Sequence, residues 1–145
     1  MMTVLGNVGE YACAAGEFPR AEELARELRK HCDRAVGAVP ETHVDHLQLR
    51  LLEASIDVGF GRTKEAKRGL KELVTAAEKG GVRYFVAQAM VVEAELANRQ
   101  VDAAEVREVL RRIRRDGLWK VLGRENRVRL SEIEGSLDRT PIGKS

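Results

Sequence analysis

A short helix-breaking turn recurs three times along this chain, each time between two helical stretches. Gly16-Glu17-Phe18-Pro19-Arg20-Ala21 aligns with Gly61-Arg62-Thr63-Lys64-Glu65-Ala66 and with Asn98-Arg99-Gln100-Val101-Asp102-Ala103. The alanine closing each unit falls in the first turn of the following helix, and these alanines lie 45 and then 37 residues apart. Upstream, each first helix carries a small residue near the expected crossing: Gly9 and Ala12, then Ala54, then Ala94. Small residues let two helix backbones approach closely, while Leu28, Leu73 and Leu110 fill the gaps between layers. Spacing of this order is that of stacked helical hairpins.

The stretches between the breaks read as helices. Apolar residues recur at three- and four-residue intervals, as in Ala66, Leu70, Leu73, Val74 and Ala77. Gly80-Gly81 is the strongest breaker, the first placed to serve as a left-handed cap and the second to begin the reversal. Thr63 and Asp102 stand where N-caps are expected. Aromatic residues make up only 4% of the chain and prolines number 3, which argues for helix and against a sandwich or barrel. The expectation is an all-α protein of about seven helices. Antiparallel hairpins over about 3–36, 42–79 and 82–116 stack as a short right-handed α-solenoid. A capping helix over about 118–137 closes this single domain (1–137), and 138–145 form a flexible tail.

The first unit resembles the tetratricopeptide repeat. Its small and large positions run Leu5, Val8, Gly9, Ala12, Gly16, Phe18, Ala21, Ala25 and Leu28. The second and third units are degenerate: Asn98 stands for the turn glycine and Arg107 for a usual core position. Degenerate repeats of this style are similar to the helical arrays of large bacterial regulatory and signalling proteins. The resemblance implies a non-catalytic scaffold that binds a partner peptide or domain on the concave face of the first helices. Transferring the repeat's surface positions gives Glu10, Cys13, Gln48, Leu51, Ser55, Phe85, Gln88, Val92 and Glu95. Phe85 serves as an apolar anchor, and Gln48 and Gln88 as hydrogen-bonding groups.

Other chemistry finds little support. His31, Cys32, His43 and His46 are the only metal-type cluster, and they lack both the paired-cysteine spacing and the two-His, one-Glu helical pattern, so no metal or cofactor is expected. Gly143-Lys144-Ser145 imitates a phosphate loop without its first glycine or its following helix. The serines sit in no nucleophile elbow, and the glutamates are spaced to pair with Lys and Arg on helix surfaces. No enzyme activity is expected.

The rival reading is electrostatic. Arg107, Arg111, Arg112, Arg114, Arg115, Lys120, Arg124, Arg127 and Arg129 fall within 23 residues and could contact nucleic acid or an acidic partner. These residues flank the apolar stripe of Val106, Leu110 and Ile113, as a solvated face does, and Trp119 is their only aromatic companion. A net charge of +2 supplies no global attraction to polyanions. Nucleic acid therefore ranks below a protein partner. No run is apolar enough to span a membrane, and two cysteines make no disulfide framework, so a cytoplasmic setting is expected. Met2 to Gly9 carries no charge and opens directly into the first repeat. The expectation there is either a longer array or a homo-oligomer paired through this end.

Overall fold

The computed structural model describes residues 2–34 and 43–138, with side chains for 8–33 and 43–137. These residues form seven α-helices and one 3₁₀ turn, with no strand among them. In chain order they are α1 (Met2–Ala14), α2 (Phe18–Arg34), α3 (Val44–Gly59), α4 (Thr63–Lys79), α5 (Arg83–Arg99), α6 (Ala103–Arg115), a 3₁₀ turn (Leu118–Val121) and α7 (Arg124–Asp138). The protein is all-α. The 35–42 connection and the tail beyond 138 lie outside the described residues.

Packing follows chain order. α1 pairs with α2, α3 with α4 and α5 with α6, and each pair also packs on the next first helix. The first helices α1, α3, α5 and α7 touch in succession as well. Patterning explains the division. α3 buries Leu49, Leu52 and Ile56 in one core with α1 and α2, and buries Leu47, Leu51, Ala54 and Val58 in a second core shared with α4 to α7. A helix sandwiched on two sides must be apolar on two sides. The second helices α2, α4 and α6 bury a single stripe and wet the rest, so they read as amphipathic.

One turn geometry ends four of the helices. At Gly16, Gly61 and Gly81 the backbone is left-handed, with φ of 77°, 75° and 69°. The following N–H then reaches back: Glu17 to the Ala12 carbonyl at 2.7 Å, Arg62 to Asp57 at 2.8 Å and Val82 to Ala77 at 2.9 Å. These bonds satisfy carbonyls that a helix end leaves orphaned, and glycine takes the left-handed conformation without steric penalty. The fourth such turn carries Val101 at φ 57°, its next N–H, from Asp102, reaching Ala97 at 3.0 Å. The third turn residue is therefore Val101, not Asn98.

This corrects the register of the third unit by three residues. Turn positions 16, 61 and 101 lie 45 and then 40 residues apart. Ala21, Ala66 and Val106 become equivalent, as do Leu28, Leu73 and Ile113, and all six are fully buried. Arg107, an exposed residue, leaves the core position that the alignment through Asn98 gave it. Three smaller corrections follow. Gly81 rather than Gly80 is left-handed. Thr63 is the first helical residue and Arg62 the uncapped N-cap. The last helix begins only at Arg124, after the 3₁₀ turn and the extended Leu122. Asp102 caps α6 as expected, accepting from the Glu105 N–H at 3.1 Å.

Close approach explains the small residues. A methyl on Gly9 would sit 2.6 Å from Leu52 Cδ2, so α3 is seated directly on α1 at that point. Ala54 and Ala94 occupy the same position in α3 and α5 and are buried. A methyl on Gly59 would run into the Phe18 ring, which joins the turn of the first hairpin to that of the second. Phe60 lies 6.0 Å from Phe18, and the Arg62 guanidinium stacks 4.5 Å over Phe60.

Val101 gives a direct test. It is 86% exposed, so its side chain makes no packing that could offset a left-handed β-branched backbone. We expect Val101→Gly to stabilise the protein by about 0.5–1 kcal/mol, raising the thermal midpoint by about 2–4 °C. Gly9→Leu should cost about 1–3 kcal/mol by overpacking against Leu52. Calorimetric melting of both variants checks the pair, and destabilisation by Val101→Gly would contradict the strain at this turn.

Candidate protein-binding face

The corrected register lines up equivalent residues of successive first helices. Glu10, Ser55 and Glu95 share one position, and Gln48 and Gln88 share another, two turns earlier. One more turn back stand Val44 and Tyr84. Val44, Gln48 and Ser55 thus form a stripe on α3 that Tyr84, Gln88 and Glu95 repeat on α5.

The expected site residues differ in availability. Glu10 is exposed, yet desolvation raises its carboxyl pKa. Cys13 is half-buried, and its thiol is pushed up to about 11 by burial and then by the Glu10 charge, so at neutral pH it is a protonated and unreactive group. Ser55 turns its hydroxyl back to donate to the Leu51 carbonyl at 3.0 Å. Phe85 and Val92 are buried core residues, as is Leu51. Phe85 therefore cannot be the exposed anchor. That part falls to its neighbour Tyr84, which is 48% exposed and stands edge-on to Phe85 at 5.2 Å, and to Val44, which is 50% exposed.

α7 accounts for two more of them. Asn126 Nδ2 donates to Gln88 Oε1 at 2.9 Å, and Arg129 Nε donates to Glu95 Oε1 at 3.3 Å. These bonds seat the last helix across α5 and leave the Gln88 N–H groups unengaged. Gln48 differs. It is 8% exposed and makes no side-chain hydrogen bond among the described residues. Its stem is buried while its amide, which is not among the buried unpartnered side-chain groups, keeps contact with solvent and is open to a ligand.

The basic stretch is largely neutralised by the fold. Arg111 makes a two-pronged bond to Glu108 at 2.7 and 3.0 Å, and Arg114 does the same with Glu134 at 2.7 and 2.9 Å. Arg112 reaches Glu93 at 2.8 Å, and Arg115 reaches Asp116 at 3.0 Å. Burial works against the Arg112 charge, but the Glu93 bond and the charges of Glu93, Glu105 and Glu108 outweigh it. Arg107, Lys120, Arg124 and Arg127 make no ion pair among the described residues. They are spread over α6, the 3₁₀ turn and α7.

Other candidate chemistry does not assemble. Among the described residues no three His, Cys, Asp or Glu side chains group as a metal site. His43 instead caps α3, its Nδ1 accepting from the Asp45 N–H at 3.1 Å. No helix among those residues is long and apolar enough to cross a membrane. A cleft of about 550 Å³ between α2, α3 and α4 is laced by ion pairs: Arg29 to Glu53 at 2.7 Å, Arg50 to Glu72 at 2.9 Å and Arg62 to Glu22 at 3.0 Å. Sequence spacing missed these pairs because each joins two helices. Val44 and Tyr84 were missed because their equivalence is visible only from the left-handed turn residues.

No protein-family model matches the chain, and no curated protein or solved structure matches it either.

The Arg114–Glu134 pair offers a pH test. The Arg114 bond holds the Glu134 carboxyl below its ordinary 4.5. A depressed carboxyl contributes stability above its unfolded pKa and loses it as pH falls through the folded value. Both partners are well exposed, so the contribution is modest, about 0.2–1 kcal/mol. Arg114 also lies 5.1 Å over Trp119, the single tryptophan. Trp119 emission should therefore titrate with a midpoint below pH 4.5, and Glu134→Gln should remove that step. An unchanged titration in the variant would detach the pair from Trp119.

Proposed function

We propose that this chain is a non-catalytic protein-recognition scaffold, a degenerate tetratricopeptide-like array whose first helices present a peptide-binding stripe. One observation carries the reading: two successive layers repeat an exposed apolar residue one turn before an amide, Val44 with Gln48 and Tyr84 with Gln88. Gln48 buries its stem but makes no side-chain hydrogen bond among the described residues and keeps its amide in contact with solvent, so that amide is available to a bound backbone. Repetition along the stack suits an extended segment, whose own backbone repeats its donors and acceptors at regular intervals. The hairpin order, the small residues at the crossings and the shared turn support a solenoid. A right-handed superhelix is part of this proposal, as is a role within a larger regulatory or signalling protein. Two free cysteines, one buried and one with a suppressed thiolate, fit a reducing cytoplasm.

The basic α6–α7 surface ranks second. Five of its arginines already bind carboxylates of this chain, which leaves little charge free to release counterions from a nucleic acid.

Peptides selected from a random library for binding to the whole chain test the stripe. We expect Gln48→Ala with Tyr84→Ala to weaken them about tenfold or more while leaving the melting temperature within a few degrees, since interface anchors carry most of the energy. Unchanged affinity for every selected peptide would remove the stripe from the binding surface.

A further inference from the structure

α7 occupies the place of a first helix. Its Leu130, Ile133 and Leu137 are buried against α5 and α6 with the three- and four-residue spacing of Leu49, Leu52 and Ile56 in α3. That register makes Gly135 the equivalent of Gly9, Ala54 and Ala94, and Val128 the equivalent of Leu47. In the second hairpin this face is covered: α4 crosses α3 at Ala54, where a methyl on Gly69 would lie 3.9 Å from the Ala54 Cβ. On α7 it is bare. Val128 is 49% exposed, and a methyl on Gly135 would meet nothing within 4 Å.

The surroundings specify what fits. Two clefts flank α7, one of about 590 Å³ over Leu110 and Leu137 and one of about 680 Å³ over Val128 and Gly135. Their lining carries Arg107, Arg124 and Arg127, which make no ion pair among the described residues, beside Arg111, Arg114 and Arg115, already bonded to Glu108, Glu134 and Asp116. In the second hairpin the corresponding flank of α4 supplies Glu65, Arg68 and Glu72 to the cleft facing α2, and Arg62, at its N-cap, bonds Glu22 there.

We propose that α7 docks an amphipathic helix of a partner protein in the position that α4 takes against α3. The partner places a small or apolar seam on Gly135 and Val128 and an acidic flank against Arg107, Arg124 and Arg127. This surface is separate from the Val44–Tyr84 stripe and does not require it. The docked helix and α7 form a hairpin between two chains.

The probe is a fluorescein-labelled peptide with the sequence of residues 63–79 carrying Arg68→Glu, which places the introduced carboxylate between Glu65 and Glu72 on one flank. Titrated into the full chain, it should perturb the amide resonances of Val128, Ser131 and Gly135. Gly135→Leu, which fills the open crossing point of a helix still able to fold, should weaken it about tenfold or more, as should Arg107→Glu with Arg127→Glu. Affinity should fall with salt and remain unchanged in Tyr84→Ala. Binding unaffected by Gly135→Leu, or perturbations centred on α3, would overturn the proposal. So would a dimer in sedimentation that Gly135→Leu makes monomeric, since a second copy would then own the face. A chain ending at Asp138 that binds the peptide about tenfold tighter would assign the face to residues 139–145 instead.

Discussion

The stack depends on how closely first helices can approach one another. Where α3 crosses α1 there is no room for even one methyl between Gly9 and Leu52. Everything downstream inherits this spacing, because α3 is buried on both sides and passes it on to α4 and α5. Leu52 gains dispersion contacts by lying directly on Gly9, and an added carbon there would have to displace its δ-methyls. Small residues at the crossing and large ones one layer on are therefore two halves of a single constraint.

Turn chemistry fixes the phase of that constraint. Each left-handed residue sets where the next helix begins, two positions later, and thereby which side chains face the core. At the four turns where the next α-helix follows directly, three use glycine at this point and one uses valine, and Gly117 is left-handed before the 3₁₀ turn. The valine is tolerated because the surrounding helices already determine the reversal, so the local conformation is imposed rather than chosen. Such a position is invisible to any reading that seeks turns through glycine, asparagine and proline. The neighbouring Asn98 offered a more conventional signal three residues too early.

That slip shows what the sequence could and could not disclose. The helices, their hairpin order and the buried Leu28, Leu73 and Leu130 were legible, because periodicity reports burial directly. The alanine and glycine crossings were legible too, since they precede the ambiguous turn. The anchor was not: Phe85 and Tyr84 are adjacent, and a helix turns by about 100° between them, so a small phase error exchanges core for surface. Most ion pairs were equally hidden. Arg112 with Glu93 and Arg114 with Glu134 join residues 19 and 20 positions apart, and only the folded chain brings them within hydrogen-bonding distance.

The same phase argument separates the two ends of the molecule. Tyr11 is 75% exposed although its equivalents Ile56 and Leu96 are buried by a preceding layer, so α1 offers a stacking side chain with nothing among the described residues stacked on it. At the other end α7 has exchanged the buried Leu51 position for Glu132, which bonds water readily and tempers an otherwise apolar face. A helix that kept Leu130, Ile133 and Leu137 inward and placed Glu132 outward would be a simple polar cap. Gly135 does not fit that role. On an exposed helix face glycine costs about 0.5–1 kcal/mol relative to alanine, and a cap gains nothing from it. The residue makes physical sense where a side chain of another helix is to settle directly on this one, as Leu52 does at Gly9.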